Sequence, residues 1–126
     1  MPNSGTEPLR AILGELRAAS PHVQAAYVVS QDGFTMAAAG GDAITEDDSE
    51  HAGALSAGLL TLCRSMMTEL RRGEVQQVLL RAGEGYLLLQ LAGPVAMIAV
   101  MAAAAMNVGL LLLETARAAG AVARAL

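Results

Sequence analysis

From Gly85 to Leu113 the chain carries no charged side chain, and this run constrains the protein more than any other feature. On length alone, an uncharged stretch of this kind could cross a bilayer. Its internal punctuation points elsewhere. Gly93 and Pro94 break it with turn chemistry, and Asn107, Val108 and Gly109 break it again before a helical pattern begins. The apolar pieces between the breaks are strand-sized, about six or seven residues each. The run reads as two buried strands and the start of a helix, with no membrane insertion.

At 126 residues the chain suits a single domain, residues 1–126. Hydrophobic residues make up 54% against 16% charged, more apolar side chain than one small domain easily hides, so some apolar surface is expected to meet a partner. A nucleic acid is not that partner. The net charge is −4 and aromatic residues are only 2%, which leaves neither a basic patch nor stacking platforms. All eight cations are arginines, a bias that fits a GC-rich or heat-adapted genome. Cys63 is the only cysteine, so no intrachain disulfide can form and a reducing compartment is expected. Met1 to Glu7 lacks the basic start and apolar run of a signal peptide, and the expected location is the cytoplasm.

Helices and strands alternate along the chain. Leu9, Ile12, Leu13 and Leu16 recur at helical spacing behind Thr6 and Pro8, and Ser20 and Pro21 end that helix. Ala25 to Ser30 and Phe34 to Ala38 read as strands joined at Gln31, Asp32 and Gly33, since a tight hairpin turn needs positive φ, which glycine adopts freely. After the loop at Gly40, Gly41 and Asp42, Thr45 to Asp48 form a capping box that opens a helix running to about Arg71, with Gly73 as its stop. Gln76 to Ala82 and Tyr86 to Leu91 make a second hairpin around Gly83, Glu84 and Gly85, and Ala96 to Met101 is a fifth strand. The last helix starts near Asn107, with a stripe of Val108, Leu111, Leu112, Thr115, Ala119, Val122 and Leu126. Hairpin-length loops call for an antiparallel sheet in an α/β (α+β) fold.

The middle helix carries two apolar stripes where one would cover a sheet. Leu55, Leu59, Leu62, Met66 and Leu70 form the first, read as the face toward the chain's own sheet. Leu60, Cys63 and Met67 form the second, which would otherwise face water and is read as an interface. Small residues at Gly53, Ala54, Ala57 and Gly58 would admit another helix closely. On this reading, glutamate at Leu60 or Met67 breaks an interface and leaves the monomer folded. A slightly apolar surface helix is the plainer alternative.

In this order and at these separations, VVSQDGFTMA at Val28 to Ala37, the long middle helix leading through Arg72 and Gly73 into a strand, and NVGLLLLETARAA at Asn107 to Ala119 resemble the roadblock family. That family is named for a dynein light chain and includes gliding-motility-type bacterial regulators of Ras-like GTPases. The resemblance implies a five-stranded sheet in the order 2-1-5-4-3, with the long helix on one face and the two terminal helices on the other. It also implies a homodimer through the middle helix and the third strand, and a Ras-like small GTPase as partner. The residues expected at the dimer or partner interface are Gly53, Ala57, Leu60, Cys63, Arg64, Met67 and Arg71, with Val75, Gln77 and Leu79. Val75 to Ala82 carries Arg81 as its one charge, weak protection for an edge strand.

Catalytic chemistry is not visible. Without a lysine there is no phosphate-binding loop of the P-loop type. Cys63 sits among leucines and methionines, His22 and His51 lack helical partner histidines, and no cofactor is implied. The acidic group Asp42, Glu46, Asp47, Asp48 and Glu50 beside His51 could attract a cation, yet most of it falls in the first helical turns, where negative charge meets the helix dipole. Arg71 and Arg72 complement the opposite end. Two other functions remain open at this stage: a small-molecule-sensing domain of similar topology, and a scaffold of a motor or signalling complex without a GTPase.

Overall fold

A computed structural model describes residues 6–41 and 45–126; Asp42, from the predicted loop and acidic group, lies outside them. The elements are α1 (Glu7–Ala18), β1 (Val23–Ser30), β2 (Thr35–Gly40), α2 (Glu46–Glu69), β3 (Gln77–Ala82), β4 (Gly85–Ala92), β5 (Ala96–Ala103) and α3 (Val108–Ala125). They form an α+β fold whose single sheet is antiparallel throughout and ordered β2-β1-β5-β4-β3, as the family resemblance implied. The central strands β1 and β5 come from apolar runs that alternate in direction and are buried on both faces.

One face of the sheet packs against α1 and α3. Leu9, Leu13 and Leu16 of α1 and Leu111, Ala118, Ala119 and Val122 of α3 meet Val28, Leu88, Ile98 and Val100 there. The other face receives α2, whose Leu60 packs with Tyr27, Val29, Leu89, Met97 and Ala99. Alternation along each strand assigns side chains to the two layers. The uncharged run serves the core: residues of Tyr86 to Ala92 and Ala96 to Ala102 supply both layers, and Asn107 caps α3 by accepting from the Leu110 amide at 2.9 Å. No helix among the described residues is long and apolar enough to cross a membrane.

Local rules account for the starts and stops. Thr45 Oγ1 accepts from the Asp48 amide and the Asp48 carboxylate accepts from the Thr45 amide, each at 3.1 Å, closing the predicted capping box. The β1–β2 hairpin turns at Gly33, with φ +108°, while Ser30 Oγ accepts from the Phe34 amide and donates to Asp32. Strand β5 runs on to Ala103, past the predicted end at Met101. Alanine has little strand preference of its own, but Ala102 and Ala103 are recruited by pairing with Val23, Tyr86 and Gly85.

Gly85 is held at φ +153°, and a Cβ there would press into the Ala102 carbonyl across the sheet. Gly85→Ala is expected to cost at least about 2 kcal/mol, through strain at that backbone angle together with displacement of a ladder carbonyl. Urea denaturation checks this; an unchanged midpoint would remove the requirement for glycine.

Candidate functional site

Helix α2 approaches the sheet closely because small residues line its inner side. A Cβ on Gly53 would lie 2.6 Å from Thr35 Oγ1 and 2.7 Å from the Gly33 carbonyl oxygen, so glycine sets the distance between helix and β1–β2 hairpin. Ser56, buried, and Ala57, half-buried, continue that side, which then runs through Leu60 at 1% exposure to half-buried Cys63 and Met67. This reverses the sequence-based assignment of the two stripes. Leu60, Cys63 and Met67 face the chain's own sheet. Leu55, Leu62, Met66 and Leu70 are turned outward at 70%, 59%, 49% and 58% exposure, with Leu59 half-buried between the two sides. The physical reason is the short gap: once Gly53 is pressed against the hairpin, helical periodicity carries Ser56, Leu60 and Met67 inward and the bulkier row outward.

The outward row borders bare sheet. Leu80, Leu87 and Met101 lie opposite one another on neighbouring strands and point to the α2 side, with Leu80 at 45% and Met101 at 44% exposure. Between that row and the first half of α2 lies a trough of about 740 Å³ lined by Leu55, Met101, Ala25 and Tyr27, with Asp48 and His51 at its rim. Burial pushes the Tyr27 phenol above its ordinary value of 10.0, and the Asp48 carboxylate adds to the effect. Two strands beyond Met101, β3 ends the sheet with one side unpaired, and Leu79 and Leu80 are exposed on it. Exposed apolar residues in one connected stretch, beside an open strand edge, are unusual for a surface that meets only water.

The ten residues predicted for an interface fall in several places. Gly53, Ala57, Leu60, Cys63 and Met67 lie between α2 and the sheet, and Val75 is buried in the same layer. Arg64 is exposed and donates to Gln31 Oε1 at 2.7 Å. Arg71 lies just beyond α2, Gln77 opens β3, and Leu79 pairs with Leu88 on the face away from α2. Arg81 of the same strand stacks over Tyr86, its guanidinium 6.0 Å from the ring centre. The apolar side chains best placed to meet a partner are those of the other stripe, with Leu80 and Met101. Among the described residues, no group of three or more His, Cys, Asp or Glu side chains is placed to hold a metal ion, and Cys63 is a free, half-buried thiol.

The Roadblock/LC7 domain profile matches residues 11–102. The chain belongs to the Roadblock/LC7 domain family. Its fold is similar to that of the gliding protein MglB from Thermus thermophilus, at 20% identity and TM-score 0.86 over 97% of this chain and 90% of that one. It is similar also to a Roadblock/LC7 domain from Streptomyces avermitilis, at 27% identity and TM-score 0.83 over 90% and 92%. An MglB described with a tetrameric arrangement superposes with TM-score 0.87 at 20% identity, over 97% and 90%. The comparison with curated proteins finds no match.

Proposed function

We propose that this Roadblock/LC7 chain is a non-catalytic adaptor that forms a homodimer through α2 and β3 and binds a Ras-like small GTPase. The observation that carries the dimer is the outward row Leu55, Leu62, Met66 and Leu70 beside bare sheet and the free edge of β3. A second copy matches both features at once: its α2 covers the row, and its β3 continues the sheet by main-chain hydrogen bonds. The tetrameric arrangement described for one MglB supports self-association in this fold. Family membership supports the GTPase, since roadblock relatives include regulators of Ras-like GTPases.

A regulator that distinguishes nucleotide states must bind them with different free energies. Titration of the purified chain against Ras-like GTPases from the same genome, loaded with GDP or with a GTP analogue, is expected to show saturable binding with a preference for one state. Absence of binding to every such GTPase in both states would overturn the GTPase reading. Sedimentation is read separately, and a monomer at micromolar concentration would overturn the dimer.

A further inference from the structure

On the flank of α2 opposite Leu59 and Met66, the helix borders a cleft of about 650 Å³, apart from the outward row proposed to meet a second copy. Arg64 and Thr68, one turn apart, line its helical side, and Arg71 follows at the helix end. The floor is apolar, from Met67, Val75 and Leu91. Gln31 closes the far side and is itself fixed: its amide nitrogen donates to the Gly93 and Ala96 carbonyls, each at 3.1 Å, and its amide oxygen accepts from Arg64. The Arg64 guanidinium is therefore positioned through one of its N–H groups, with the remainder of its donor fork available.

The second guanidinium is held at a cost. Helix α2 closes with the Arg71 amide donating to the Thr68 carbonyl and the Arg72 amide donating to the Met67 carbonyl, a Schellman arrangement whose left-handed position usually takes glycine. Here that position is Arg71, at φ +55°. Gly73, two residues on, has φ +88° but does not occupy the closing position. An arginine kept in a backbone conformation that favours glycine is a reason to ask what its side chain does. Neither Arg64 nor Arg71 forms an ion pair among the described residues. The cleft's only carboxylate is Glu74, so two cations face one anion in a chain whose net charge is −4.

We infer that this cleft binds a small organic oxyanion, a phosphate ester or carboxylate with a short apolar body. The head group is received by Arg64, Arg71 and the Thr68 hydroxyl, and the body lies on Met67, Val75 and Leu91. Guanidinium forks match the paired oxygens of either head group, and the cleft's size is within the range of small-molecule sites. The site lies away from the trough, so it stays accessible when the other flank of α2 is covered, and it does not depend on a GTPase.

The test is an amide NMR titration of the whole chain with phenyl phosphate, benzoate and inorganic phosphate. Saturable shifts are expected at Gln31, Thr68, Arg71 to Val75 and Gly93 with at least one of the two aromatic anions, more weakly with inorganic phosphate. The stronger of phenyl phosphate and benzoate identifies the head group. Arg64→Gln and Arg71→Gly are each expected to weaken binding about tenfold, the effect of losing one charge-assisted contact. Arg71→Gly suits the left-handed backbone, so its loss of binding cannot be assigned to misfolding. Arg124→Gln is the control and should change nothing. No saturable shift with any of the three anions, affinity retained in both cleft variants, or an equal loss in the control would overturn the proposal.

Discussion

Leu60→Glu is expected to unfold the chain or leave it barely stable. Leu60 is 1% exposed and packs with Tyr27, Val29, Leu89, Met97 and Ala99 beneath α2. Arg64, one helical turn on, is exposed and already donates to Gln31 Oε1 at 2.7 Å on the cleft side of α2, so a carboxylate beneath the helix gains no ready partner. Burying an unpaired polar group costs about 2–7 kcal/mol, and more when it is ionised. Losing the leucine's apolar burial adds about 1.5–3 kcal/mol. A domain with about 5–15 kcal/mol of total stability cannot absorb both at its lower end. Leu60→Ala should be milder, at about 2–5 kcal/mol, because it leaves a cavity without stranding a charge. Circular dichroism with urea denaturation measures both. If Leu60→Glu melted like the parent chain, Leu60 would not seat α2 on the sheet, and the reversed assignment of the stripes would be wrong.

That reversal shows where the sequence is informative and where it is ambiguous. Turn and cap chemistry is local, so Asp32 and Gly33, Thr45 with Asp48, and Gly93 with Pro94 mark their places without knowledge of the rest of the fold. The order of helices and strands follows from them. The face of α2 does not, because Leu55, Leu62 and Met66 have the same helical spacing as Leu60 and Met67. Periodicity alone ranks the bulkier row as core. A usable signal lies in Gly53 and Ser56, small residues in line with Leu60 and Met67 on the side where a hairpin passes close beneath. In the sequence Gly53 reads as room for a second helix, whereas in the fold it makes room for the chain's own Gly33 and Thr35.

The end of α2 is ambiguous for a related reason. Gly73 is the residue composition favours as a stop, yet the helix closes two residues earlier on Arg71. Only the hydrogen bonds from Arg71 and Arg72 back to Thr68 and Met67 reveal it. The bare sheet at Leu80, Leu87 and Met101 is not legible at all from one strand. It arises because one helix cannot span five strands, and which strands it leaves uncovered depends on the direction in which α2 crosses the sheet.

The paired substitution Leu62→Glu with Met66→Glu should produce the opposite outcome to Leu60→Glu: a folded monomer. Both side chains are about half or more exposed, at 59% and 49%, so glutamates there keep their water in the isolated chain and change its stability by no more than about 0.5 kcal/mol each. In the proposed dimer the same positions are covered by the partner's α2. Two carboxylates would then be desolvated opposite their symmetry-related copies, since a two-fold interface doubles every substitution. Disrupting a hot-spot residue at the centre of an interface costs about 2 kcal/mol or more. The combined loss is expected to raise the dimer dissociation constant at least about a thousandfold. Sedimentation velocity with a parallel urea melt separates the two effects. A variant that is monomeric with an unchanged melt at matched low concentration supports α2 pairing through this row. One that still dimerises as tightly as the parent chain would overturn pairing through this row of α2.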